Sequence, residues 1–197
     1  MKTLDIFDVA ILGRGVVGNL TALTAAKAGL KTLLIGPKVI FRKKNNSPSR
    51  SYALAPSSIE LINSLGIKKP IDSNMQDICS MEIVNGIGKI TLDAKEAKKR
   101  YLAKIINHDY LMEHLYVDQK IPNIYIIESS PDTLEYFEVG EEEYVKLNFI
   151  ENQKLYNCKS RLLIGTDGVN SWARQKAGIL WGVKNYNQMA IVADISS

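Results

Sequence analysis

A glycine pattern near the amino terminus constrains the fold of this chain more than any other feature. Residues 13–18 read Gly-Arg-Gly-Val-Val-Gly, a GxGxxG pattern that directly follows the short apolar run Phe7–Leu12. The next segment, Val16–Ala28, carries apolar residues at helical spacing, and Lys31–Ile35 is a second apolar run. The chain from Phe7 to Ile35 is therefore predicted to form a β-α-β unit with a right-handed connection.

Each glycine of this pattern has its own physical role. Gly13 permits a tight turn, Gly15 lets the backbone approach a pyrophosphate, and Gly18 allows close packing of helix on strand. The free N–H groups of the first helical turn and the helix dipole then favour bound phosphate. We therefore predict a dinucleotide-binding site formed by Gly13, Arg14, Gly15, Val16, Val17 and Gly18.

The carboxylate that usually ends the second strand of such a unit, where it binds the ribose, is missing here. Gly36 stands at that position. Two interpretations remain open. The basic residues Arg42–Lys44 could receive a 2′-phosphate, which would favour NADP, or the ribose could be bound by main chain or water.

A second motif follows a buried strand far along the chain. The apolar run Leu162–Gly165 leads into the turn Asp167-Gly168, after which Asn170 or Ser171 can cap a short helix. Taken alone, this segment is better interpreted as an ordinary strand–turn–helix that has a polar cap. It becomes informative about function only in combination with the glycine pattern.

The remaining segments are predicted to be short helices and strands, because apolar runs are bounded by turn residues. They are a helix that begins at Pro56, a hairpin of Met81–Val84 and Gly88–Leu92, a helix over Asp109–Val117, a strand over Ile124–Ile127, a meander of Leu134–Val139, Tyr144–Ile150 and Lys154–Asn157, and a separate buried strand over Leu162–Gly165. This order predicts an α/β fold, a Rossmann-like domain with a small antiparallel β insertion.

Composition and charge argue against several classes of protein. The net charge of +4 over 197 residues is too small for a dedicated nucleic-acid surface. No apolar run approaches the roughly 18 residues of a transmembrane helix, and Asp5 and Asp8 interrupt the apolar stretch that a signal peptide needs. Two cysteines, Cys79 and Cys158, are too few for a zinc site or a disulfide framework. We expect an intracellular, reducing compartment and no metal site.

Together, in this order, the two motifs resemble those of the FAD-dependent aromatic hydroxylases, the flavoprotein monooxygenase family of para-hydroxybenzoate hydroxylase. Within that family the chain is most similar to the ubiquinone-biosynthesis hydroxylases. Three further segments share this resemblance: Ser49–Leu54, Ile105–Leu115 and Tyr186–Ala193. The resemblance therefore extends over nearly the whole chain.

The resemblance implies roles for individual residues. The three glycines of the GxGxxG pattern would hold the pyrophosphate of FAD, and Arg50 would lie near the same diphosphate, where a cation offsets phosphate charge. Asp167 and Gly168 would lie near the cofactor and serve both FAD and NAD(P)H function. Arg174 would brace the Asp-Gly turn rather than touch a ligand.

The two histidines are expected to lie in different environments. His108 lies near a position where the family often has a residue facing FAD, although a plain loop histidine is the more conservative interpretation. His114 is expected on a helix surface. No side chain is an obvious general acid or base, so no catalytic residue is predicted.

The resemblance also implies a domain organisation and an activity. Residues 1–183 would form an FAD/NAD(P)-binding domain, incomplete relative to the family, and residues 184–197 the first strand of a substrate domain. The family reaction is hydroxylation of an aromatic ring by an FAD-dependent monooxygenase with NAD(P)H as reductant. The substrate implied is a small aromatic, polyprenylated intermediate of ubiquinone biosynthesis.

The resemblance also implies partners and a cellular location, and two alternative functions remain beside it. A missing C-terminal half or other quinone-biosynthesis proteins would complete the enzyme, in a cytoplasmic location that is at most peripheral to the inner membrane. Two other functions stay open: a non-catalytic nucleotide-binding remnant or scaffold subunit of a quinone-biosynthesis assembly, and an NADP-dependent reductase that uses Arg42–Lys44.

Overall fold

The two strands that flank the glycine turn lie side by side and parallel. A computed structural model of the chain describes residues 2–41, 50–66, 71, 75–117, 121–151, 154–189 and 191. Its elements, in chain order, are β1 (Lys2–Leu12), α1 (Val16–Lys27), β2 (Thr32–Ile35), β3 (Ser51–Leu54), α2 (Pro56–Ser64), β4 (Gln76–Ile78), β5 (Ser80–Asn85), β6 (Gly88–Asp93), β7 (Ala103–Asn107), α3 (His108–Leu115), β8 (Ile124–Ile127), β9 (Pro131–Val139), β10 (Glu142–Glu151), β11 (Lys154–Gly165) and α4 (Trp172–Lys176).

The chain divides into two compact units. The first contains Met1–Ile40 and Leu115–Met189, and the second contains Phe41–His114 and Ala190–Ser197. A strand was predicted over residues 184–197. Residues 184–189 and 191 of this segment are described and form neither helix nor strand, and its other residues lie outside the described part of the chain. The predicted domain boundary after residue 183 therefore stays a prediction.

The first unit is built on a six-stranded sheet with the order β8-β2-β1-β11-β10-β9. The strands β8, β2, β1 and β11 are parallel, whereas β10 and β9 continue the sheet antiparallel. Leu12 pairs with Ile35 on one side and with Gly165 on the other, so the carboxyl ends of three strands meet at one edge. The predicted β-α-β unit and the α/β fold are confirmed.

The prediction of two separate strands before and after residue 160 is wrong. Residues Lys154–Gly165 form the single strand β11, which pairs with β1 on one edge and with β10 on the other. The polar residues inside it do not break the strand, because neighbouring strands on both sides supply backbone hydrogen-bond partners. The antiparallel meander is therefore continuous with the parallel sheet.

The core of the first unit is formed by helix α1, which packs on the sheet, and by buried apolar side chains of the strands. Helix α1 packs on β1 and β2 and buries Ala22, Leu23 and Ala26. A buried apolar cluster of the same unit contains Phe7, Ala10, Leu12, Leu33, Ile35, Ile127, Val145, Leu147, Phe149, Cys158 and Ala173. Burial raises the pKa of the Cys158 thiol to about 12, so this cysteine behaves as an apolar core residue.

The second unit contains a three-stranded antiparallel sheet, β3-β7-β4, that sequence patterns did not predict. The hairpin β5–β6 was predicted, and it turns at Gly86, whose φ of 59° is in the left-handed region. Within the part of the chain that the structure describes, every helix is too short or too polar to cross a membrane.

The expectation that His114 lies on a helix surface is wrong. Its side chain is only 9% exposed. Helical spacing explains this, because His114 comes three residues after the buried Leu111 and therefore shares its face of α3. Its ring also lies 6.4 Å from that of Tyr110, centroid to centroid.

The placement of the core predicts how two adjacent residues of β10 respond to truncation. Phe149 is 1% exposed and its ring stacks on Tyr156, so Phe149→Ala should lower the free energy of unfolding by about 3–5 kcal/mol. Ile150 is 57% exposed, and the matched control Ile150→Ala should cost less than about 1 kcal/mol. Urea denaturation measures both values, and equal losses would contradict the assignment of the two faces of β10.

Candidate functional site

The glycine turn lies where the carboxyl ends of three strands meet. Gly13 directly follows β1 with a φ of 109°, and its N–H donates to the Ile35 carbonyl at 2.8 Å. On the other side the Thr166 N–H donates to the Leu12 carbonyl at 2.7 Å. The turn is therefore hydrogen-bonded to β2 and to the segment that follows β11.

Gly13 and Gly18 are required by close backbone contacts. A Cβ atom added to Gly18 would overlap the Gly13 carbonyl oxygen and lie 2.8 Å from Thr166 Oγ1. A Cβ atom on Gly13 would overlap the Thr166 carbonyl oxygen. The Thr166 hydroxyl also donates to the Leu12 carbonyl at 2.7 Å. The close packing predicted for Gly18 is present, and it involves Thr166 as well.

Gly15 has the opposite environment. It is the N-cap residue of α1, with φ −76° and ψ −171°, and no side chain caps the helix. A Cβ atom on Gly15 would meet no heavy atom within 4 Å, and the first turn contains no acidic residue. Open space before a helix N-terminus without negative side chains fits a diphosphate, because the N–H groups and the helix dipole favour an anion.

Asn19 is a site residue that sequence patterns missed. Its side chain is fully buried, and its amide nitrogen donates to the carbonyls of Arg14 and Gly15 at 2.7 and 2.9 Å. Its amide oxygen accepts a hydrogen bond from the Val117 N–H at 3.0 Å. Asn19 therefore fixes the shape of the turn. The one available signal was an asparagine four residues after Gly15, in the first turns of the predicted helix.

The side chain of Arg14 is held within the protein. Its Nη1 lies 2.9 Å from Oε1 of Glu128, and its Nη2 donates to the Tyr116 hydroxyl at 3.2 Å. The guanidinium carbon lies 5.6 Å from the centre of the Tyr116 ring. Only the backbone of Arg14 is therefore left for the cofactor contact predicted at this position.

The Asp167-Gly168 turn is a preorganised helix cap. The two carboxylate oxygens of Asp167 accept hydrogen bonds from the Ser171 hydroxyl at 2.5 Å and the Ala173 N–H at 3.1 Å. Ser171, rather than Asn170, caps α4 by accepting the Arg174 N–H at 3.0 Å. Gly168 has a φ of 88°, in the left-handed region that favours glycine.

Arg174 braces this turn, as predicted. Its Nη2 donates to the Val169 carbonyl at 2.7 Å, and its guanidinium carbon lies 4.0 Å from the centre of the Trp181 ring. The turn is also joined to the glycine pattern, because a Cβ on Gly13 would lie 2.9 Å from the Asp167 nitrogen. The structure thus brings the two sequence motifs together at one edge of the sheet.

Arg50 and His108 lie together in the second unit. Nη2 of Arg50 donates to the Tyr52 hydroxyl at 2.6 Å, and that hydroxyl lies 3.0 Å from Nδ1 of His108. Partial burial lowers the pKa of His108, the Arg50 charge lowers it further, and Asp109 partly offsets both. The proximity of Arg50 to a diphosphate stays a prediction.

Two other expectations concern ligands. Residues Arg42–Lys44, proposed as a 2′-phosphate site, lie outside the described residues. Among the residues that are described, no group of three or more His, Cys, Asp or Glu side chains is arranged to hold a metal ion.

Comparison with known proteins adds evidence that geometry alone does not give. The model of the FAD binding domain family matches residues 6–195. The chain is 26% identical to the mitochondrial ubiquinone biosynthesis monooxygenase COQ6 of Caenorhabditis elegans, over 96% of this chain and 44% of the relative. It is 28% identical to the protein of the same name from Danio rerio, over 96% of this chain and 42% of the relative. The chain thus spans less than half the length of these relatives.

A solved structure supports the fold. The p-nitrophenol 4-monooxygenase PnpA from Pseudomonas putida DLL-E4 superposes with a TM-score of 0.65 at 22% identity. The match covers 90% of this chain and 44% of PnpA. At this identity the similarity establishes a shared fold.

Two glycine variants separate binding from folding. Gly15→Ala should leave the free energy of unfolding within about 1 kcal/mol of the wild type, because its Cβ meets open space. It should weaken FAD binding by about tenfold, since the same space is needed by the diphosphate. Gly18→Ala should instead destabilise the fold by about 3 kcal/mol, the upper end for overpacking. Urea denaturation and FAD titration measure these effects, and unchanged FAD affinity of a folded Gly15→Ala variant would contradict the assignment.

The Arg50–Tyr52–His108 cluster predicts a pH effect. Because its pKa is lowered, His108 stays neutral in the folded state at pH values where the unfolded chain begins to bind a proton. The stability of the fold therefore has its full value above about pH 6.5, the unfolded pKa, and part of it is lost as the pH falls from there through the lowered folded pKa. Arg50→Gln should raise the pKa of His108 in an NMR titration, whereas Arg100→Gln, an exposed control, should not.

Proposed function

This chain belongs to the FAD-binding domain family, and from that premise we propose that it is the FAD-binding portion of a monooxygenase that hydroxylates an aromatic ring. The observation that carries the proposal is the glycine turn, where open space at Gly15 faces the N-terminus of α1 at the carboxyl edge of a parallel sheet. Ligands of parallel α/β sheets bind at this edge.

Names of related proteins support the choice of reaction. Two relatives that match 96% of this chain are called ubiquinone biosynthesis monooxygenases. A protein with the same fold is a monooxygenase of p-nitrophenol, which is also an aromatic compound. We therefore propose a small aromatic substrate, specifically a polyprenylated intermediate of ubiquinone biosynthesis.

The residues of this chain would bind and orient the cofactor. The N–H groups at the start of α1, around Val16 and Val17, would bind the diphosphate, and Asn19 keeps the turn in the required shape. Arg50 would add a positive charge near the diphosphate. Asp167 and Gly168 would form the wall of the cofactor site next to Gly13. When bound, FAD supplies the redox chemistry, with NAD(P)H as the reductant.

The fixed cap geometry of Asp167 suits this part of the proposal. Both oxygens of its carboxylate accept hydrogen bonds, one from Ser171, the N-cap of α4, and one from Ala173 within α4, so the turn is tied to the helix by protein groups alone. A rigid wall reduces the conformational entropy that binding would otherwise cost.

The proposal includes the partners and the location. Because the chain spans less than half of its relatives, a C-terminal half or another quinone-biosynthesis protein would contribute the substrate-binding surface. We propose a cytoplasmic protein, at most peripheral to the inner membrane, which would give access to a polyprenylated substrate.

Flavin absorbance tests the proposal on the 197-residue chain. Titration with FAD should give saturable binding and a perturbed flavin spectrum, because the isoalloxazine ring leaves bulk water. A folded sample that binds no FAD would contradict the proposal. Preference for NADPH over FAD would instead support an NADP-dependent reductase.

Product analysis separates the enzyme from the non-catalytic alternative. With FAD, NAD(P)H, O₂ and a prenylated phenol, and with the proposed C-terminal half or partner protein added, we expect a product heavier by one oxygen atom in mass spectrometry. Tight FAD binding without any product would favour a nucleotide-binding scaffold subunit. Gly15→Ala is the matched variant, and it should lose product formation in proportion to its loss of bound FAD.

A further inference from the structure

The end of strand β2 leaves little room for the carboxylate that usually binds the ribose. Gly36 stands there, and a Cβ atom on it would lie 3.1 Å from Cγ of Arg14 and 3.2 Å from the Arg14 nitrogen. These distances are shorter than ordinary van der Waals contacts. Since the Arg14 side chain is only 2% exposed and held on both sides, it cannot easily move to admit an acidic residue at position 36.

The neighbouring strand carries a carboxylate at the same edge of the sheet. Ile35 pairs with Ile127 of β8, and the Gly36 N–H donates to the Ile127 carbonyl at 3.1 Å. Glu128 is the next residue, so it follows the carboxyl end of β8 directly beside Gly36. Adjacent strands are about 4.8 Å apart, so the carboxylate is displaced by one strand only.

Arg14 positions this carboxylate. Its Nη1 lies 2.9 Å from Oε1 of Glu128, while the Glu128 side chain is 37% exposed. Among the described residues, Arg14 is the only hydrogen-bond partner of Glu128. An ionised carboxylate has about four lone-pair sites, so its second oxygen can accept another hydrogen bond.

We propose that Glu128 accepts a hydrogen bond from a hydroxyl group of the adenosine ribose of FAD, in place of the missing acid at the end of β2. Arg14 is then a positioning residue, and its occupation of the space at Gly36 explains why the acid stands on the adjacent strand. The proposal rests on the proposed FAD binding. It also disfavours a 2′-phosphate, which a carboxylate at this position would repel.

Competition by nucleotides lacking one hydroxyl tests the proposal. Bound FAD is displaced from the 197-residue chain by ADP, 2′-deoxy-ADP or 3′-deoxy-ADP, and the affinities are compared. The wild type should prefer ADP over at least one deoxy analogue by about tenfold, as expected for a hydrogen bond to a charged acceptor. In Glu128→Ala this preference should fall below about twofold. The control Glu138→Ala, an exposed glutamate of β9, should keep the full preference.

A second variant guards against loss of folding. Glu128→Ala leaves the buried Arg14 guanidinium without its anionic partner, which costs stability. Glu128→Gln retains an acceptor for Arg14, and circular dichroism checks that it is folded. With the charge removed, its preference for ADP should fall to about threefold.

The outcomes distinguish this inference from the proposed function. If FAD binds but the folded Glu128 variants keep the wild-type preference, or lose affinity for all three nucleotides equally, Glu128 does not bind the ribose and the inference is overturned. The proposed function then stands. If neither FAD nor ADP binds the folded wild type, both fail.

Discussion

The first unit depends on one close contact, in which the absence of a side chain at Gly18 lets helix α1 approach the Gly13 carbonyl and Thr166. Strand β1 ends at this point, and Thr166 hydrogen-bonds back to Leu12 through both its N–H and its hydroxyl. The contact therefore fixes helix, turn and the segment after β11 together. Because cores are packed at crystal-like density, even one added methyl group at Gly18 would have to displace backbone.

Around this contact, buried polar side chains hold the turn in shape, while the backbone at Gly15 borders open space. Asn19 satisfies the carbonyls of the turn, and Arg14 fills the space at Gly36 and holds Glu128. A Cβ atom on Gly15 would meet no heavy atom within 4 Å, so the space beside the N-terminus of α1 is open. A rigid turn with exposed donors is preorganised for an anionic ligand, since little ordering remains to be done on binding.

The sequence allowed prediction of features that depend on local patterns. The β-α-β unit and the hairpin at Gly86 follow from glycine spacing, periodicity and turn residues, and they are confirmed. The bracing role of Arg174 was implied by the family resemblance, and its hydrogen bond to the Val169 carbonyl agrees with it. The continuity of β11 was missed because the strand that pairs with its second half, β1, is distant in sequence. Asn19 and Glu128 were missed for the same reason, since their partners lie 98 and 114 positions away. The burial of His114 could have been predicted from helical spacing, because it lies three residues after Leu111.

We propose that the N-terminus of α1 binds the diphosphate of FAD at the glycine turn. Backbone amide chemical shifts, recorded by NMR while FAD is added, test it most directly. We expect the largest shift changes on residues 13–18 and on the Asp167-Gly168 turn, with the exposed hairpin β5–β6 unaffected. Saturable FAD binding that leaves the amides of residues 13–18 unchanged would show that the diphosphate does not bind at this turn.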